Sequence, residues 1–181
     1  LKATKIRPGD ELVSVDICDG EDKEVVMITK EGFITRYDSK EISLFAPASF
    51  GVKAIEMKNR PKDEVVAGLY VNSKDVIILL TNKGVIKRFK TSEILKGHKN
   101  HVGKQYVTSS KSSNSHIIDA KIIHKTNIDQ EFVNSYVVGS ESMMEIDLGL
   151  IKGVTKTSSN SIDIGKVEKL LIVRNDNDFN K

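Results

Sequence analysis

One segment of this chain occurs twice, and that repetition limits the possible folds more than any other feature of the sequence. "TKEGFITRYDSKEI" (29–42) and "TNKGVIKRFKTSEI" (81–94) align without gaps at Thr29/Thr81, Gly32/Gly84, Ile34/Ile86, Arg36/Arg88, Glu41/Glu93 and Ile42/Ile94, 52 positions apart. "RPGDELV" (7–13) pairs with "RPKDEVV" (60–66) 53 positions apart, and Gly51 pairs with Gly103, so a single one-residue gap reconciles the unit. A degraded third copy follows: "HIIDAKII" (116–123) stands for "ELVSVDIC" (11–18), and "NSYVVGSESMMEIDL" (134–148) for "KEVVMITKEGFITRY". In that copy Ser142 stands roughly where the turn glycine stood, and the arginine has no counterpart.

Each copy reads as four short strands. In the first they are "DELVSVDI", "EVVMITK", "GFITRYD" and "GVKAIEM", β-branched or alternating and separated by turn-forming residues. The glycine ending "TKEG" and "TNKG" suits a type I turn with a bulge, because that position requires a positive φ. Ser142 should therefore strain or reshape the third turn. A period near 50 with four strands per unit is the signature of radially arranged blades, each burying its faces only against its neighbours. "ATKI" before Pro8 resembles "AIEM" before Pro61, so the chain is expected to open on the last strand of a preceding blade. The expected fold is all-β and propeller-like, with about three four-stranded blades near 9–57, 62–107 and 116–173 plus strand remnants. "VTSSKSSNS" implies a flexible loop at 108–115, and the polar end a disordered tail at 176–181.

Charge is distributed unevenly. Residues 81–111 hold eight Lys or Arg against the single acid Glu93, a net +7, while the rest of the chain is −4 within an overall +3. That asymmetry implies either a surface for a polyanion or simply a solvated lysine-rich face. The single cysteine, Cys18, allows no internal disulfide and fits a reducing, cytosolic setting. No apolar run approaches the roughly 18 residues that span a bilayer, and the N-terminus "LKATKIRPGD" lacks a signal-peptide core.

The sequence carries little that suggests catalysis. His98 and His101 have no second ligand cluster and read as polar loop residues. No phosphate-binding glycine loop, dinucleotide fingerprint or nucleophile elbow is present. Arg36-Tyr37 could in principle pair a nucleophile with a cation, but its repeat is Arg88-Phe89, so the ring recurs and the hydroxyl does not. Tyr37 is expected to pack, as are Met143 and Met144 inside the third blade.

The combination "ITKEGFITRYDSKEI … FGVKAIEMKNRPKDEVVAG … ILLTNKGVIKRFKTSEI" resembles the C-terminal repeats of the A subunit of bacterial type IIA DNA topoisomerases, clearly over about 1–107 and weakly over 116–173. The resemblance implies a β-pinwheel, whose blades exchange strands with their neighbours and whose basic rim binds and bends duplex DNA. It also implies membership of an A2B2 holoenzyme, cytoplasmic and nucleoid-associated, with strand cleavage, ATP and Mg2+ belonging to other parts of it. This fragment would hold no catalytic residue, cofactor or metal. Gyrase is known by a Q-R-R-G-G-K-G box, and the equivalent loops here read "FAPASFGVK" (45–53) and "HKNHVGKQ" (98–105). The resemblance thus favours the A subunit of topoisomerase IV, with that of gyrase second.

The DNA-contact candidates are Arg36, Lys53, Lys87, Arg88, Lys90, Lys96, Lys99 and Lys104, since a curved row of cations suffices for sequence-independent binding. Arg36 and Arg88 also admit a structural reading, pairing with acids such as Glu41 and Glu93. A rival reading, a blade scaffold for protein partners, predicts an exposed apolar or aromatic patch.

Overall fold

The computed structural model describes residues 3–17, 23–107, 114–124, 133–147, 151, 160–161 and 166–174. Cys18, Lys111, the tail at 176–181 and most of the loop expected at 108–115 lie outside the described residues. Eleven strands follow in order: β1 (Glu24–Thr29), β2 (Phe33–Asp38), β3 (Val65–Val71), β4 (Val76–Thr81), β5 (Val85–Lys90), β6 (Lys104–Gln105), β7 (Ile117–Ile123), β8 (Val133–Gly139), β9 (Met143–Ile146), β10 (Asn160–Ser161) and β11 (Val167–Arg174). The only helical pieces among the described residues are single 3-10 turns at Ser39–Glu41 and Thr91–Glu93. None is long and apolar enough to cross a membrane.

These strands form three antiparallel sheets, ordered β3-β1-β2-β6, β10-β5-β4-β7 and β11-β8-β9. The second copy supplies four strands, β3 to β6, as expected, but they are shared between two sheets. The first copy supplies only the central hairpin β1–β2 of its sheet, and the second copy donates both flanking strands, β3 inside and β6 outside. The second sheet repeats this, its hairpin β4–β5 flanked by β7 and β10. The sheets thus cut across the spans 9–57, 62–107 and 116–173, and the exchange of strands implied by the resemblance is present. Residues 10–17, expected as a strand, join no sheet.

The hairpins share one turn. Gly32 and Gly84 have φ of +86° and +70°, and their N–H groups donate to the carbonyls of Thr29 and Thr81. The buried Thr29 hydroxyl accepts from the Phe33 N–H at 3.1 Å, and that of Thr81 from the Val85 N–H at 3.0 Å. Each threonine also marks the irregularity in pairing with the inner strand, so the repeated T-x-x-G sets both turn and bulge. The third turn is reshaped without strain: Gly139 N–H donates to the Ser142 carbonyl, and Ser142 keeps a negative φ.

Burial explains why the copies need one another. All six residues of β4 are buried. Ile77 and Leu79 pack with Val26, Ile28 and Ile34 of the first sheet, while Val76, Ile78 and Leu80 pack with Val137, Val167 and Leu170 of the third. Alternate residues of one strand therefore serve two separate cores. Tyr37 is buried as expected, and its counterpart Phe89 meets Tyr106 edge-on at 6.0 Å. Met143 and Met144 are not: they are exposed on β9, which among the described residues pairs with β8 alone.

A second joint sits at the donated inner strand of the first sheet. The Arg60 guanidinium lies 3.8 Å from the centroid of the Phe33 ring and pairs with buried Asp63 at 3.0 Å. Asp63 in turn accepts from the Glu31 N–H at 2.9 Å. The R-P-x-D sequence thus grips the turn of the preceding hairpin, which explains its place in the repeat.

Candidate nucleic-acid interface

The eight candidate cations fall into three groups. Arg36 and Arg88 are joints between sheets. Arg36 Nη1 donates to the Thr91 carbonyl at 2.7 Å and lies 3.6 Å from Glu24, and Arg88 Nη1 reaches the Ile151 carbonyl at 3.4 Å. Each side chain therefore crosses to the following copy. Glu24 stands opposite Asp38 in the ladder, and Arg36 opposite Val26, which puts Glu24 diagonal to Arg36 on the same face. Glu41, expected as the partner, instead accepts from the Lys99 N–H and approaches His98.

Two lysines are engaged locally. Lys53 pairs with Glu56 at 3.1 Å. Lys96 contacts Glu24 at 2.9 Å and Asp38 at 3.8 Å, and its hydrogen bond to Glu24 raises its pKa.

Four remain: Lys87, Lys90, Lys99 and Lys104. Lys87 on β5 is half-buried, and burial lowers its pKa. Lys90 ends β5 in solvent. Lys104 lies on β6, against the outer edge of the first sheet, with its ammonium 5.8 Å from the Tyr106 ring. Lys99 belongs to the same donated segment. Gly97 N–H donates to the Arg36 carbonyl and Tyr106 N–H to that of Gly32, so residues 96–106 run along this edge. None of these four has a carboxylate partner among the described residues. Strand donation thus covers the edge of the first sheet with lysines from the second copy. His98 and His101, read from the sequence as bland loop residues, stand exposed in the same segment. Lys83, left out of the candidates, is exposed at the second turn.

The backbone of this rim is built to a pattern. Asn100 (φ +64°) donates to the Ala54 carbonyl and Glu56 N–H to that of His101. In the first copy Ala48 (φ +62°) donates to the Ala3 carbonyl and Lys5 N–H to that of Ser49. The two loops share a scaffold, but one carries "SLFAPASF" and the other "LKGHKNHV".

A family model described as "DNA gyrase C-terminal domain, beta-propeller" matches residues 1–19, 23–72 and 75–123. The A subunit of DNA gyrase from Thermotoga maritima is 35% identical over 95 residues, and the A subunit of DNA topoisomerase 4 from Bacillus subtilis 32% identical over 96. These matches cover 52% and 53% of this chain but only 12% of each relative. Among solved structures, the C-terminal domain of DNA topoisomerase IV superposes with a TM-score of 0.82 at 21% identity, covering 96% of this chain and 53% of the other. The E. coli ParC C-terminal domain gives 0.66 at 12% identity, covering 96% and 69%. At these identities the superpositions establish the pinwheel fold.

Proposed function

The chain belongs to the DNA gyrase C-terminal β-propeller family, and from that premise we propose that it binds and bends duplex DNA as part of a topoisomerase IV A subunit. The observation that carries this reading is the donated edge of the first sheet, where Lys99 and Lys104 stand without acidic partners. Lys90 adds a further exposed cation at the end of β5. Each phosphate neutralised releases condensed counterions, so such a rim binds without reading bases. Bending would favour flexible steps. The arginines shared by both copies are architecture, and the lysines added in the second are the contacts.

Within the holoenzyme, an A2B2 assembly with an ATPase B subunit, the domain helps select the geometry of the DNA segment to be passed, for relaxation and decatenation. Cleavage and ATP use lie outside it. The topoisomerase IV assignment rests on the two rim loops, neither of which carries the Q-R-R-G-G-K-G box of gyrase. A wrapping box elsewhere in the polypeptide would reassign the chain to gyrase.

The test is a salt titration of binding to a nonspecific 40-base-pair duplex. Replacing Lys90, Lys99 and Lys104 with Gln together should flatten the slope of log affinity against log salt by about 2 to 3. An unchanged slope would overturn the assignment of these residues.

A further inference from the structure

Residues 96–105, "KGHKNHVGKQ", hold three lysines, two histidines and no acid. The matching loop of the first copy, "LFAPASFGVK" (44–53), holds Lys53 and no histidine. The histidines thus occur on the copy that lays Lys99 and Lys104 along the edge of the first sheet. Both reach solvent: the His98 side chain is 89% exposed, and His101 is exposed beside Gly97. Gly97 N–H donates to the Arg36 carbonyl, Asn100 N–H to that of Ala54, and Glu56 N–H to that of His101, so the backbone of 97–101 is held against the first copy. The ionisable neighbours leave both rings open to an anion. His98 Nδ1 lies 3.6 Å from Glu41 Oε1, and the other oxygen of that carboxylate accepts from the Lys99 N–H at 2.9 Å. Beside His101, Glu56 is engaged by Lys53 at 3.1 Å and by the Lys58 N–H at 2.7 Å, while Arg60 Nη2 donates to the Val102 carbonyl at 3.2 Å. Glu24 and Asp38 are taken by Lys96. His101 has no carboxylate partner among the described residues.

We propose that His98 and His101 are further duplex contacts on this rim, binding phosphate in their protonated form, so that affinity rises as pH falls below neutrality. The inference rests on the reading of this rim as the DNA-binding surface. Imidazole is the side chain that gains charge between pH 8 and pH 5, whereas the lysines stay cationic and the phosphates anionic throughout. Three lysines give residues 96–105 a formal +3, and two protonated histidines bring it to +5. A phosphate drawn close favours the charged ring in turn, so binding takes up protons and acid strengthens it. Protonated His98 shares its charge with Glu41. His101 has no such competitor and therefore contributes the larger part.

The test measures binding of a nonspecific duplex across a salt series at about pH 5.5 and about pH 8. Three proteins are compared: the parent, the pair His98→Gln with His101→Gln, and the pair His98→Arg with His101→Arg. Near pH 8 the parent and the Gln pair should bind alike, because the lysines carry the interaction there. On acidification the slope of log affinity against log salt should steepen by about 1 to 2 in the parent, and by clearly less in the Gln pair. The Arg pair should show the parent's acid slope already near pH 8. His116 and His124 lie outside this segment and are common to all three proteins, so their titration cancels. Equal steepening in the parent and the Gln pair would overturn the proposal and leave the lysine rim standing. Absence of duplex binding by the parent at both pH values would overturn it together with the reading on which it rests.

Discussion

Arg36 and Thr91 are 55 positions apart in sequence and joined by a 2.7 Å hydrogen bond from guanidinium to carbonyl. The bond ties the second strand of one hairpin to the turn that follows the next. Arg36→Met should destabilise the fold by about 2 kcal/mol in urea titration, because a charge-assisted bond in a half-buried site is lost, although the Thr91 carbonyl keeps the Ile94 N–H. Arg36→Lys should restore little, since an ammonium lacks the rigid planar head whose Nη1 donates to Thr91 beside Glu24. Duplex affinity of the folded Arg36→Met protein should stay within about twofold of the parent, as expected of a joint that neutralises no phosphate.

Thr29 and Thr81 each spend a buried hydroxyl on an N–H four residues ahead. Thr→Val at either position keeps the shape and leaves that N–H without its acceptor. A loss of about 1 to 2 kcal/mol per site is expected by chemical denaturation. The sites lie in different sheets, so the double variant should lose about the sum.

Gly9 and Gly32 have φ of +82° and +86° but different surroundings. A Cβ at Gly32 would fall 2.1 Å from the Val107 carbonyl, while one at Gly9 meets nothing within 4 Å. Gly9→Ala should cost only the left-handed penalty, about 1 to 2 kcal/mol. Gly32→Ala should cost clearly more, on the order of 3 kcal/mol or above, because β6 and the segment to Val107 must move away. Equal costs would show that β6 does not seat on the first hairpin.

Burial first, then Tyr70 and Glu41, push the Tyr37 hydroxyl up to about 12. In the unfolded chain it loses its proton near 10, so between the two values only the folded form keeps it. Its contribution is complete below pH 10 and disappears as pH rises to 12. Stability should fall by about 2 to 3 kcal/mol across that window from this group alone. Tyr37→Phe should remove that part of the slope, which denaturation at several alkaline pH values would resolve against the lysine background.

The period, the turn glycines and the packing of Tyr37 and its counterpart Phe89 were legible from the aligned copies, because each rests on local pattern. Which copy completes which sheet was not. "DELVSVDI" and "DEVVAGLY" look alike as strands, yet among the described residues only the second pairs with a hairpin. Arg36 illustrates the same limit: nearness in sequence pointed to Glu41, whereas sheet geometry puts Glu24 on its face. The R-P-x-D motif was visible as repetition, but its grip on Phe33 and Glu31 is a contact between copies. Lys96 reads as a free cation until the donated segment lays it beside Glu24 and Asp38.

Because β6 and β10 close sheets whose hairpins were made long before, synthesis and completion are out of step. When the ribosome has released β1 and β2, their sheet still waits for residues 104–105. Each newly made repeat latches the one behind it. A stop codon or protease cut within 104–107 would therefore open the first sheet as well as end the chain. Folding should advance as a wave that trails the exit tunnel by about one repeat, leaving the latest hairpin the least protected.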